Sequence, residues 1–328
     1  MTSWVPRVGI TLALLGCASI VPATVGAQCP PYLTQWGSQG NGDGQFIQPS
    51  GVATDAAGNV YIADGGNNRI QKFSGTGTYL TQWGSQGNGD GQFNSPRGVA
   101  RDAAGDIYIA DQANARIQKF TGTGTYLTQW GSNGSGNSEF GNPSGVATDA
   151  AGDVYVADYN NNRIQKFSNT GTYLTQWGSQ GNGNGQFINP YAVATDAAGD
   201  LYVTDTGNHR IQKFTGTGTY LTGWGSLGGG NGQFIQPRGV AIDAAGDVYV
   251  ADTFNNRMQK FSNTGTYLCQ WGSPGSGNGL FNNPWGVATD AAGDVYVADY
   301  NNHRIQKVGS GPTPTTTTTW GRLKSLYR

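Results

Sequence analysis

Residues Gly44 to Phe73 read GQFIQPSGVATDAAGNVYIADGGNNRIQKF, and the stretch decides the fold because it returns almost unaltered as GQFNSPRGVARDAAGDIYIADQANARIQKF from Gly91 to Phe120. The step between copies is 47 residues. It carries Trp36 through Trp83, Trp130, Trp177 and Trp224 to Trp271, Phe46 through to Phe281, and Pro49 through to Pro284, six copies in constant register. Self-similarity at this period marks a repeat architecture, in which each unit buries its faces against its neighbours.

Four short runs within a period read as strands. GVATD (Gly51 to Asp55) is small and apolar, and NVYIAD (Asn59 to Asp64) is apolar at nearly every position, as a strand covered on both faces should be. RIQKF (Arg69 to Phe73) and YLTQW (Tyr79 to Trp83) alternate, which suits strands nearer the outside. Turn signals separate them: DAAGN, GGNN, SGTGT and a long Gly-rich loop. Four antiparallel strands per repeat make one propeller blade, so the fold class is all-β, a six-bladed β-propeller. Its small first strand belongs at the crowded axis. The repeats also have a phase: they open on an outer strand, Tyr32 to Trp36, and end on a third strand, Arg304 to Val308, with no outer strand after it. The N-terminal strand is therefore expected to complete the last blade and close the ring.

The run G-x-G-x-F-x-x-P-x-G-V-A-x-D-x-x-G-[ND]-V-Y-[IV]-A-D-x-x-N-x-R-I-Q-K-F resembles the NHL repeat at nearly every signature position, over about Tyr32 to Val308. Departures are mild: Ala192 replaces the Gly before a first strand, Thr204 replaces Ala, Met258 replaces Ile and Val308 replaces the last Phe. The resemblance implies a propeller that binds partners. It also brings in three functions to weigh: a zinc lyase with His ligands, lactonases with a Glu, Asn and Asp around a central metal, and RNA binding among animal members.

Outside the ring, Arg7, the apolar stretch Val8 to Val21, Pro22 and the small-residue site ending at Ala27 have the pattern of a cleaved secretory signal over 1–27. The stretch is shorter than the roughly 20 apolar residues of a membrane span. A secreted or periplasmic protein is expected, the alternative being a lipoprotein anchored through Cys17 of Leu14-Leu15-Gly16-Cys17. Residues 28–31 form a lead segment, 32–308 the propeller, 309–319 a Gly/Pro/Thr linker and 320–328 a short basic-aromatic tail. In an oxidising compartment Cys29 and Cys269 could pair, though Pro30-Pro31 stiffens the lead segment and adjacent outer strands lie far apart.

Charge selects no partner. Lys plus Arg number 19 against 20 for Asp plus Glu, so nucleic acid is not an expected partner, and a monomer is expected. The Asp and Arg residues that recur in each blade, Asp64 with Arg69 and Asp111 with Arg116 among them, read as turn caps and blade-to-blade hydrogen bonds, because a catalytic site needs one asymmetric constellation. His209 and His303 occupy one repeat position two blades apart, too far to share a zinc ion. The Asn41-Gly42-Asp43-Gly44 loop faintly resembles a calcium loop, but Asp90 is its only other copy, and Glu139 has no evident match to the lactonase Glu. No catalytic residue, metal site or cofactor is expected, and a propeller enzyme with a site at the axis is the alternative.

The informative signal is where the copies differ. The DAAG turns are constant, whereas the residue after the repeated Pro runs Ser50, Arg97, Ser144, Tyr191, Arg238, Trp285, and the turn after the second strand opens Gly65, Gln112, Tyr159, Thr206, Thr253, Tyr300. Strand alternation puts both loops at one end of the ring. Every off-pattern aromatic of the repeats falls there: Tyr159, Tyr191, Phe254, Trp285 and Tyr300. With Arg97 and Arg238 they form the expected binding patch, exposed and suited, beside Asn255 and Asn301, to a protein, peptide or glycan. Ring closure supplies a test of this reading: deleting Tyr32 to Gly37 should lower the melting temperature far more than truncation after Gly311, and equal melting temperatures would count against closure by the N-terminal strand.

Overall fold

The computed structural model describes Met1 and residues 29–309, which form six four-stranded antiparallel sheets around one axis. Blade one runs outward from the axis as Pro49–Thr54, Val60–Asp64, Arg69–Phe73 and Tyr79–Trp83. Blades two to five repeat that order, and blade six combines Pro284–Thr289, Val295–Asp299 and Arg304–Val308 with Tyr32–Trp36 from the opposite end of the repeats. Tyr32 lies opposite Val308 and Trp36 opposite Ile305, so the N-terminal strand does close the ring. No helix among the described residues is long and apolar enough to cross a membrane.

The core lies between blades rather than within them. Ala53, Tyr61, Ala63 and Ile70 of blade one pack with Phe93, Val99, Ile107, Ile109 and Phe120 of blade two, and five equivalent clusters follow around the ring. All five residues of each second strand are buried, which explains their near-continuous apolar sequence. At the axis neighbouring first strands come so close that side chains are excluded. A Cβ on Gly51 would sit 2.2 Å from the Arg97 carbonyl oxygen, and one on Gly286 only 2.0 Å from that of Ser50.

Blade four breaks that rule with Ala192, and a second departure in the same blade answers it. The Thr204 hydroxyl oxygen accepts the Ala192 N–H at 2.7 Å and lies 3.4 Å from the Arg238 carbonyl of blade five. Two substitutions that look independent in sequence meet at one junction. Next to them the first strand of blade five is shortened to Gly239–Ile242, against six residues in the other five blades.

Both ends of the ring are tied at the seam. The Gly309 N–H donates to the Pro31 carbonyl at 3.0 Å, and Cys29 is joined to Cys269 in the outer strand of blade five with Cα atoms 5.7 Å apart. The separation of outer edges that argued against this pair is bridged by residues 29–31, which lead across from the neighbouring blade. The disulfide closes a loop of 240 residues, for which chain entropy allows about 5 kcal/mol of stabilisation. Peptide mapping of non-reduced protein should recover a Cys29–Cys269 linked peptide, and Cys29→Ser should lower the melting temperature under oxidising conditions but not in reductant. Two alkylatable thiols in the untreated protein would remove the staple.

Candidate functional site

Each first strand starts at the variable end of the ring, so the residues after the six prolines meet around the axis. Ser50 and Ser144 are small and tuck in: the Ser144 hydroxyl donates to the Tyr191 carbonyl at 2.7 Å, and that of Ser50 lies 3.2 Å from the Pro96 carbonyl. Arg97, Tyr191, Arg238 and Trp285 are too large for that and converge over the axis. The Trp285 ring is 5.5 Å from Tyr191 and stacks at 3.7 Å on Tyr300, which stands on the next turn of its own blade. The Arg238 guanidinium lies 4.2 Å from the centre of Trp285, 5.3 Å from that of Tyr191 and 5.7 Å from that of Phe254. Arg97 reaches Trp285 from blade two at 4.8 Å and donates from Nε to Gln112 at 3.2 Å, while Tyr159 packs edge-on to Tyr191 at 6.0 Å.

All seven residues singled out from sequence thus belong to one cluster, but its exposure corrects the expectation. Trp285 is 8% and Tyr300 9% exposed, whereas Phe254 is 45% exposed. Loops that look separate in sequence point at one axis, and large side chains there cover one another. The result is a partial cap: Trp285 and Tyr300 are buried, Arg97, Tyr159, Tyr191 and Arg238 are half-buried, and Phe254 stays open. Asn255 is also not free for a ligand, because its amide donates to Gly228 and Asp252 at 2.9 Å each; Asn301 is exposed and bonds Asn282.

Beneath the cap is a cavity of about 230 Å³, walled by the glycines, valines and alanines of the six first strands. At its far end a ring of threonines bonds blade to blade, Thr54 donating to the Thr289 carbonyl at 2.7 Å and Thr195 to that of Thr148 at 2.7 Å. Arg101 and Ile242 interrupt that ring. Arg101 was not singled out from sequence, although its replacement of a repeated Thr was the available signal.

The charges sort into two sets. Among the described residues, each of the six repeat arginines and six lysines pairs with an Asp. Arg97, Arg101 and Arg238 are the remaining Arg and Lys side chains among the described residues, and all three line the axial cavity, whose wall carries no acidic side chain. The cap is also short of hydrogen bonds. Tyr191 Oη and Arg238 Nε are sealed from solvent without a partner, a condition that costs about 1–3 kcal/mol per group. Burial pushes the Tyr191 phenol above its ordinary range, and the pull of Arg97 and Arg238 in the other direction does not offset it.

The repeated polar residues are structural. Asp64 is fully buried; one oxygen accepts the Ile47 N–H at 2.8 Å, and the other accepts from Asn67, Arg69 and Gln71. Arg69 continues to the carbonyls of Asn41, Gly42 and Gln45, so in the loop that resembles a calcium site those oxygens already hold a guanidinium. Glu139 accepts the Gly136 N–H at 2.8 Å, away from the axis. His303 and His209 each accept, at Nδ1, the N–H of the next blade's Gln48 (3.1 Å) and Gln236 (3.0 Å). Asn68, Asn162 and Asn256 do the same through a side-chain oxygen in other blades. No group of three His, Cys, Asp or Glu side chains that could hold a metal ion occurs among the described residues.

Comparison with known proteins follows this geometry. The NHL repeat profile matches residues 46–73, 93–120, 140–167, 187–214, 234–261 and 281–308. A stretch of 47 residues, 14% of this chain, is 45% identical to protein lin-41 of Caenorhabditis elegans, of whose length it spans 4%. Among solved structures, a gluconolactonase from Xanthomonas campestris superposes with TM-score 0.62 at 13% identity, over 86% of this chain and 96% of that one. Inactivated virginiamycin B lyase from Staphylococcus aureus, solved with quinupristin, gives 0.59 at 17% identity over 84% of each chain. At such identities the likeness is one of fold.

The role of the histidines as blade-to-blade acceptors can be checked by substitution. His303→Asn should leave stability unchanged, whereas His303→Ala should cost about 1 kcal/mol. In blade two the same left-handed position is held by Ala115, at φ 52°, which offers Asn142 no acceptor. Ala115→Asn should therefore gain about 1 kcal/mol in denaturant unfolding. A large loss in His303→Asn would show that the imidazole does something the amide cannot.

Proposed function

The chain belongs to the NHL repeat family, and from that premise we propose that it is an extracytoplasmic binding scaffold that recognises a protein, peptide or glycan partner at the capped mouth of the ring. One observation carries the reading: the off-pattern aromatics and two of the three arginines that have no acidic partner among the described residues gather at a single mouth. The opposite DAAG turns are identical in every blade. The differences that set the blades apart are thus concentrated at that mouth, which supports a recognition face there. Aromatic residues and Arg are also the types that dominate binding hot spots.

Two further observations agree with this reading. The axial wall is built from Gly, Val, Ala, Ser and Thr with Ile242, Tyr191, Trp285 and three arginines and carries no carboxylate or imidazole, a lining that agrees with a binding role within a fold shared with a lyase and a gluconolactonase. The Cys29–Cys269 bond suits an oxidising compartment.

Phe254 offers the cleanest test, since it is exposed and its loss should leave the core intact. Phe254→Ala and Arg97→Gln should each weaken retention of captured partners by about 2 kcal/mol, roughly thirtyfold, at an unchanged melting temperature. Trp285→Ala is a poor probe because that side chain is buried in the cap. If Ala57→Lys and Ala151→Lys in the DAAG turns abolish capture instead, the binding face is the opposite one.

A further inference from the structure

The cap confines two like charges with nothing to balance them. Both guanidinium groups lie within 5 Å of the Trp285 ring centre, Arg97 at 4.8 Å and Arg238 at 4.2 Å, which puts them within about one Debye length of each other. Neither has an acidic partner, although every repeat arginine has one. Beside them Tyr191 Oη and Arg238 Nε are sealed and bond nothing. A small anion entering here would offset the repulsion between the two charges and could partner both orphaned groups.

We propose, on the reading that this mouth is the binding face, that it is a receptor for the free C-terminal carboxylate of a peptide chain. Arg97 and Arg238 clamp the carboxylate, Tyr191 Oη is a third donor, and the side chain of the terminal residue descends into the axial cavity. The chemistry of the cavity selects this ligand. Its wall joins Val52, Val99, Val146, Val193, Val240 and Val287 to Ser and Thr hydroxyls that already donate to backbone carbonyls, so the unspent donors are the arginines and Tyr191, which suit an anion better than neutral sugar hydroxyls. Trp285 is covered by Tyr300 at 3.7 Å and approached by Arg238 at 4.2 Å, so it has no free face on which a sugar ring could stack. A planar carboxylate matches the guanidinium fork, and only at a chain terminus does it share its Cα with an apolar side chain that could fill the space below. A side-chain carboxylate on a folded surface cannot bring both.

The test uses the full-length protein and an array of acetylated pentapeptides, Ac-Gly-Ser-Gly-Ala-X, with X each of the common amino acids, made both as free acids and as C-terminal amides. Affinities of the best pairs are measured by titration calorimetry. Free acids with an apolar X should bind at least tenfold more tightly than their amides, and Arg97→Gln and Arg238→Gln should each remove most of that difference while the melting temperature holds. Equal affinity of acid and amide, both weakened by Phe254→Ala, would overturn the carboxylate receptor while leaving the mouth as the binding face. Tighter binding of trigalacturonate than of any peptide acid would overturn it in favour of an anionic glycan. No binding by any member of the array overturns it as well, and whether partner capture still depends on Phe254 then decides the fate of the broader reading separately.

Discussion

A blade of this propeller has two apolar faces and cannot bury either by itself. Each of the six core clusters is drawn from two neighbouring blades, so the hydrophobic stabilisation exists only between units. An open ring would leave the outer faces of blades one and six wet. The remaining architecture follows from that requirement: Tyr32–Trp36 completes blade six, the Gly309 N–H meets the Pro31 carbonyl, and Cys29 is held to blade five. At the centre, closure brings first strands within reach of one another's backbones, and the glycines at Gly51 and Gly286 are the sequence's answer to that crowding.

Closure also dictates where charge can be left over. Packing blades together seals Asp64 and its counterparts from water, and a buried carboxylate is tolerable only when its lone pairs are filled. Each repeat therefore commits an Arg, an Asn and a Gln to that one side chain, while its Lys pairs with another Asp nearer the DAAG turn. These cations have no capacity left for a ligand. Among the described residues what remains is Arg97, Arg101 and Arg238, none of which belongs to the repeat pattern, and all of which border the cavity. The overall balance of charge in the chain conceals this, because the repeat arginines and lysines are each matched by an Asp within their own blade.

Much of this was legible in the sequence because repetition averages away ambiguity. A single VYIAD could be strand or buried helix, but six copies at a step of 47 residues, each flanked by the same turns, leave one architecture. The phase of YLTQW relative to RIQKF foretold which strand closes the ring. Positions such as Tyr191 and Trp285 could be assigned to the same end of the molecule by counting strands. Their mutual distance could not, since strand counting gives the end of a sheet and not the radius at which a side chain sits. For that reason an exposed patch was expected where the structure has a cap with Trp285 and Tyr300 buried. The partnership of Ala192 with Thr204 was hidden for a related cause: both look like harmless drift until the junction between blades four and five brings them to one hydrogen bond.

The same geometry explains how a nearly symmetric ring acquires an asymmetric site. Substitutions on the outer loops stay apart, because neighbouring blades diverge with radius. Substitutions beside the axis are gathered, so that Arg97, Tyr191, Arg238 and Trp285, spread over 188 residues of chain, become one contact set. Four changes at a single repeat position thus create a constellation without touching any inter-blade cluster except at its margin. Ser50 and Ser144 make the point from the other side: at that same position a small hydroxyl folds back on neighbouring backbone and adds nothing to the mouth. The energetic sign is consistent with a site rather than with packing alone. A cap that only plugged the axis would gain nothing from charge, whereas this one brings two half-buried guanidinium groups together without an acidic partner; Tyr191 Oη and Arg238 Nε are unbonded beside them, as are the indole N–H groups of the six repeat tryptophans elsewhere. Left unpaired such groups cost stability, and in the proposed complex a bound anion would offset that cost.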